Sequence, residues 1–84
     1  MTVNRLSEIT YQFRGWAFKH YGHAINLQVY LNHDDFRNLR RELMYGPYMT
    51  ITDAPHYFEF EGVVISWAPL VAAGEHVAGR RNLF

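Results

Sequence analysis

Three arginines, Arg37, Arg40 and Arg41, fall within one short stretch of this chain. A guanidinium is planar, always charged and weakly hydrated. It makes paired hydrogen bonds to carboxylates or phosphates and stacks on aromatic rings. Arg37 and Arg41 stand four residues apart, a like-charge spacing that opposes an isolated helix by about 0.2–0.5 kcal/mol. A stripe that works against its own helix is a candidate grip for an acidic partner. The alternative is that these arginines pair with carboxylates of the same chain, Glu59 and Glu61. Lys19 is the only lysine, so nearly all the positive charge is arginine. Six tyrosines, six phenylalanines and two tryptophans accompany it. Aromatic residues and arginine dominate binding hot spots. Tyr30, Tyr48 and Tyr57 fall opposite the expected core residues of their strands. With Arg37, Arg40 and Arg41 they form the candidate partner-binding set.

A second constellation is Tyr11, Arg14, Trp16 and Lys19. Aromatics flanked by cations on a sheet can stack single-stranded bases. Against this stands the charge balance: eight basic and eight acidic residues give a formal net charge of zero. That removes the electrostatic footprint of most nucleic-acid binders. The ribonucleoprotein signature of RRM domains and the GxxG loop of KH domains are absent.

A third constellation is histidine. His20 and His23 form H-x-x-H in an expected turn, and His33 precedes Asp34 and Asp35. These residues can ligate a metal, but the spacing is weakly specific. His56 with Asp53 is a possible acid–base pair. H-E-x-x-H, G-x-S-x-G, G-x-G-x-x-G, the phosphate-binding loop and the calcium loop are missing. There is no cysteine, which removes thiol nucleophiles, disulfides and thiolate zinc sites. No catalytic residue, metal or cofactor is expected.

These groups must be positioned by a small scaffold. At 84 residues the chain is expected to be one domain, residues 1–84. Ile9, Tyr11 and Phe13 alternate with Glu8, Thr10, Gln12 and Arg14, the period of a half-buried strand. Trp16 and Phe18 continue the alternation out of phase, so Gly15 reads as a bulge or a tight turn. Ile25, Leu27, Val29 and Leu31 define a second strand over 25–31, expected to pair antiparallel with the first. Asn32 is a good helix N-cap, with Asp34 and Asp35 at the positive end of the helix dipole. Phe36, Leu39 and Leu43 then recur at helical spacing, and Gly46 and Pro47 stop the helix. Met49 and Ile51, then His56, Phe58 and Phe60, then Val63, Ile65 and Trp67 read as three further strands. Asp53, Ala54 and Pro55 form a turn, and Gly62 marks a hairpin turn or a second bulge. Phe13, Phe36, Phe58, Phe60 and Trp67 are assigned to the core. Residues 70–84 read as a flexible or docking tail.

The expected fold is α+β: an antiparallel sheet in the order β-β-α-β-β-β, with one helix on one face. One helix cannot cover both faces of such a sheet, so aromatic surface is left for a partner. A homodimer through the open face or an edge is compatible with this. The expected function is a non-catalytic protein-binding module, an inhibitor or adaptor that occludes a protein or nucleoprotein partner. Its size and architecture are similar to those of small phage and mobile-element inhibitors, an analogy of scaffold alone. The alternatives are a single-stranded nucleic-acid binder and a small metal-dependent or acid–base enzyme. No apolar run is long enough to span a bilayer, and the chain is expected to be cytoplasmic with no membrane partner.

Overall fold

The computed structural model describes residues 1–23, 26–44 and 56–80. Its elements run α1 (Val3–Tyr21), β1 (Leu27–Leu31), α2 (His33–Met44), β2 (Phe58–Phe60), β3 (Val63–Trp67) and β4 (His76–Arg80). The α+β class and the small sheet-on-helix scaffold hold. The order does not: the described elements are α-β-α-β-β-β, with two helices.

The first expected strand is a helix. Leu6, Ile9, Thr10, Phe13 and Ala17 are its buried residues, a stripe at spacings of three and four. Thr2 caps it: its hydroxyl accepts from the Arg5 N–H at 3.1 Å. Gly22 ends it in the left-handed region at φ 75°, donating its N–H to the Phe18 carbonyl at 3.0 Å. Gly15 is therefore neither a bulge nor a turn but sits inside the helix.

The β1 strand matches its expected alternation, with Leu27, Val29 and Leu31 buried and Gln28 and Tyr30 half-buried. Ile25 lies outside the described residues. The cap of α2 is also as expected: the Asn32 Oδ1 accepts from the Asp34 and Asp35 N–H groups at 3.0 and 3.3 Å. Phe36, Leu39 and Leu43 are its buried face. The expected helix stop at Gly46 and Pro47, the strand through Met49 and Ile51, and the turn at Asp53, Ala54 and Pro55 lie outside the described residues.

The sheet order is β2-β3-β1-β4. It is mixed, not antiparallel: β1 and β3 run parallel, with Val29 beside Ile65 and Leu31 beside Trp67. A parallel pair needs a long crossover, and α2 lies within it. β2 and β3 form an antiparallel hairpin whose two loop residues, Glu61 and Gly62, have φ of 51° and 80°. Positive φ at both positions is what a tight type I′ connection requires. Gly62 is thus a turn residue.

The expected tail is partly a strand. β4 pairs antiparallel with β1, from Leu27 opposite Arg80 to Leu31 opposite His76. Its approach is anchored by the Asn32 Nδ2, which donates to the Val71 carbonyl at 3.1 Å. The Asp35 carboxylate accepts from the Gly74 N–H at 2.8 Å and from the Met1 amine at 3.2 Å. The Gly74 hydrogen bond, helped by that amine and opposed by partial burial, holds Asp35 below the ordinary 3.8.

Residue alternation puts Leu27, Val29, Leu31, Phe58, Phe60, Val63 and Ile65 on one sheet face. Both helices bury their apolar stripes there in a single cluster. The opposite face carries Gln28, Tyr30, Glu59, Val64, Ser66 and Val77, and no described helix covers it.

His76 sits on the helix side of β4. Desolvation against the neighbouring structure, with Arg5 adding repulsion, pushes it below the ordinary 6.5. The folded chain then binds this proton more weakly than the unfolded chain. Its stabilising contribution is complete above pH 6.5 and is lost as pH falls through the lowered folded value. Denaturant midpoints measured from pH 7.5 down to about pH 5 should therefore fall, and His76→Gln should flatten that part of the profile. An equal slope in both proteins would assign the acid sensitivity elsewhere.

Candidate partner-binding site

The arginine flank of α2 is built by helical geometry. At about 100° per residue, Arg40, Arg37 and Arg41 fan out to one side of the Phe36–Leu39–Leu43 stripe. His33 and Met44 fall on the same flank, one turn before and after. Asp34, Asp35, Asn38 and Glu42 occupy the outer face and the other flank. Trp67 ends β3 on the helix side of the sheet, beside Leu31. Its ring lies 4.4 Å from the His33 imidazole, tilted by 45°. Trp67 is only partly buried. It belongs as much to this site as to the core.

Together with Phe36, these side chains line a cavity of about 450 Å³. Arg37 and Arg41 are exposed and Arg40 is half-buried. No carboxylate is among the described residues that line it. Among the described residues, the ion pairs join Met1 to Asp35, Arg5 to Glu8 and Arg14 to Glu61. None involves Arg37 or Arg41.

The two carboxylates that might have neutralised this flank are elsewhere. Glu61 faces α1 from the hairpin turn. It accepts from the Ser7 hydroxyl at 3.0 Å, lies 2.9 Å from the Thr10 hydroxyl, and stands 3.8 Å from the Arg14 guanidinium. Glu59 is exposed on the opposite sheet face, beside Val64. Neither Glu59 nor Glu61 is thus paired with Arg37 or Arg41.

No family model, curated protein or solved structure matches this chain. What the site does must follow from its own chemistry. Guanidinium groups beside an indole ring favour an anionic group carried next to an apolar or aromatic one. The described lining residues include no hydroxyl, thiol or carboxylate side chain.

The other residues of the candidate set fall apart in space. Tyr30 pairs with Ser66 on the far sheet face, and the register carries Tyr57 to the same side. Both are half-buried. They do not share a surface with Arg37, Arg40 and Arg41. Tyr48 lies outside the described residues. The aromatic companion of the arginines is Trp67, which the sequence reading had placed wholly in the core.

Tyr11, Arg14, Trp16 and Lys19 do come together, but on the outer side of α1 and not on a sheet. All four border one shallow depression. The histidines are dispersed. His20 packs against Trp16 with ring centroids 4.4 Å apart, while His33 packs against Trp67. Among the described residues, no three histidines or carboxylates are grouped as metal ligands would be. His56 is exposed and its carbonyl accepts from the Ser66 hydroxyl at 2.9 Å. Its expected companion Asp53 lies outside the described residues. No helix among the described residues is long and apolar enough to cross a membrane.

Proposed function

We propose that this chain is a non-catalytic protein-binding module, an inhibitor or adaptor that grips an acidic segment of a protein partner. Arg37, Arg40 and Arg41 take the partner's carboxylates, while Trp67, with Met44 and His33, takes the adjoining apolar or aromatic group. The observation that carries this reading is the pair Arg37 and Arg41: exposed, beside an indole-lined cavity, and in no ion pair among the described residues. A flank retained only for stability would place acidic residues against these guanidinium groups. Here Glu61 serves α1 and Glu59 lies on the far sheet face.

The test separates binding from folding. A short synthetic peptide of glutamate and tyrosine, labelled for fluorescence anisotropy, should bind the wild-type chain. Arg41→Ala should weaken that binding while leaving stability unchanged, or raising it by about 0.2–0.5 kcal/mol through relief of the repulsion with Arg37. Equal binding by wild type and variant would remove the site assignment.

Nucleic-acid binding remains a second reading because Tyr11, Arg14, Trp16 and Lys19 share one depression. It is weakened by Arg14, whose guanidinium is turned to Glu61. Phosphate neutralisation gives affinity that falls steeply with salt, so a salt titration with a single-stranded oligonucleotide distinguishes it from the peptide contact.

A further inference from the structure

We infer that the outer face of α1 is the surface through which two copies of this chain pair, antiparallel and about a two-fold axis. The first observation is Gly15. A glycine inside a helix is about 1 kcal/mol less favourable than alanine. Nothing among the described residues requires it: a Cβ built at Gly15 meets none of their atoms within 4 Å. The position is exposed. Its lack of a side chain is explained by close approach of something from outside.

The second observation is what surrounds it. Tyr11 and Phe18 are 72% and 65% exposed on the solvent side of the same helix. A helix that packs on a sheet by one stripe normally turns polar residues outward. Here Glu8, Tyr11, Gly15 and Phe18 form a second stripe at spacings of three, four and three. That is the seam spacing by which helices pair.

The stripe is complementary to itself. Its midpoint lies between Tyr11 and Gly15, so an antiparallel two-fold sets Tyr11 over the partner's Gly15 and the reverse. The ring fills the notch that the missing side chain leaves. Glu8, which also stands 3.4 Å from the Arg5 guanidinium, lies toward one end of the stripe and Lys19 toward the other. The same pairing sets Glu8 opposite the partner's Phe18, with the partner's Lys19 one residue further along, twice over. Arg14 stands 3.8 Å from Glu61, so its charge is partly met within the chain. Exposed aromatics contribute about 150–250 Å² each when fully covered, which places the interface near the small end of specific contacts, on the order of 1,000 Å² in total. A reversible, concentration-dependent dimer follows.

Sedimentation equilibrium of the full chain, from about 1 µM to 1 mM protein, should show monomer passing to dimer and nothing larger. Gly15→Ala should raise the thermal midpoint of the monomer and weaken the dimer at least about tenfold. Glu8→Lys or Lys19→Glu alone should weaken it, and the double exchange should restore it. A chain that stays monomeric over the whole range overturns the inference. So does a dimer indifferent to Gly15→Ala and to both charge changes. Binding of a single-stranded oligonucleotide that is lost with Lys19→Glu, in a chain that does not dimerise, would assign the face to nucleic acid instead.

Discussion

Phe58→Ala should lower the unfolding free energy by about 3–5 kcal/mol, the usual range for removing a buried phenylalanine ring. The ring is 1% exposed. It stacks on Phe36 with centroids 5.4 Å apart and planes 23° from parallel. This contact joins α2 to β2, a strand of only three residues on the edge of the sheet. So short an edge has little backbone pairing of its own. Its retention depends on Phe58 and Phe60 reaching into the shared core. Domains of this kind have about 5–15 kcal/mol of stability, so the loss is a large fraction of the whole. Urea unfolding followed by circular dichroism measures it. Tyr11→Ala, at an exposed position, should stay within about 0.5 kcal/mol at concentrations where the chain is monomeric. A Phe58→Ala change no larger than that of Tyr11→Ala would mean that β2 is held by something other than its aromatic core.

The second large effect is on binding. Replacing both Arg37 and Arg41 with alanine should weaken capture of the acidic partner by about a thousandfold. Hot-spot arginines contribute about 2 kcal/mol or more each, and about 4 kcal/mol corresponds to three decades in Kd. Stability should not fall, because neither side chain is in the core or in an ion pair among the described residues. Loss of binding without loss of stability is the signature that separates a grip from a structural flank. A variant that unfolds more readily, with binding reduced only in proportion, would assign these arginines to the scaffold.

The second half of the fold was more legible than the first, and the reason is physical. β1, α2 and β2 bury one face more deeply than the other, so their periodicity states their type. α1 does not. Its core stripe of Leu6, Ile9, Phe13 and Ala17 has helical spacing. The exposed Tyr11, Trp16 and Phe18 fill in between and produce a false alternation of two. The residues that disguise the helix are those that crowd its solvent side. Thr2 and Gly22, the caps, carried the correct signal. β4 was hidden for the opposite reason: His76, Val77, Ala78 and Arg80 are all exposed, so no burial pattern marks it. The parallel pairing of β1 with β3 leaves no trace in either strand alone, and with it went the placement of Trp67. The arginine flank needed only α2 and was readable from spacing. Its aromatic companion needed the topology.

The central claim is that the α2 flank with Trp67 grips a protein. The direct measurement is affinity capture from a nuclease-treated bacterial lysate, run in parallel with the wild-type chain and with the Arg37→Ala, Arg41→Ala double variant. Captured proteins are quantified by mass spectrometry. The expected result is a protein retained in stoichiometric amount by the wild type and absent from the variant. The same protein recovered equally on both, or a capture that disappears once nuclease is added, would show that this flank does not bind the partner.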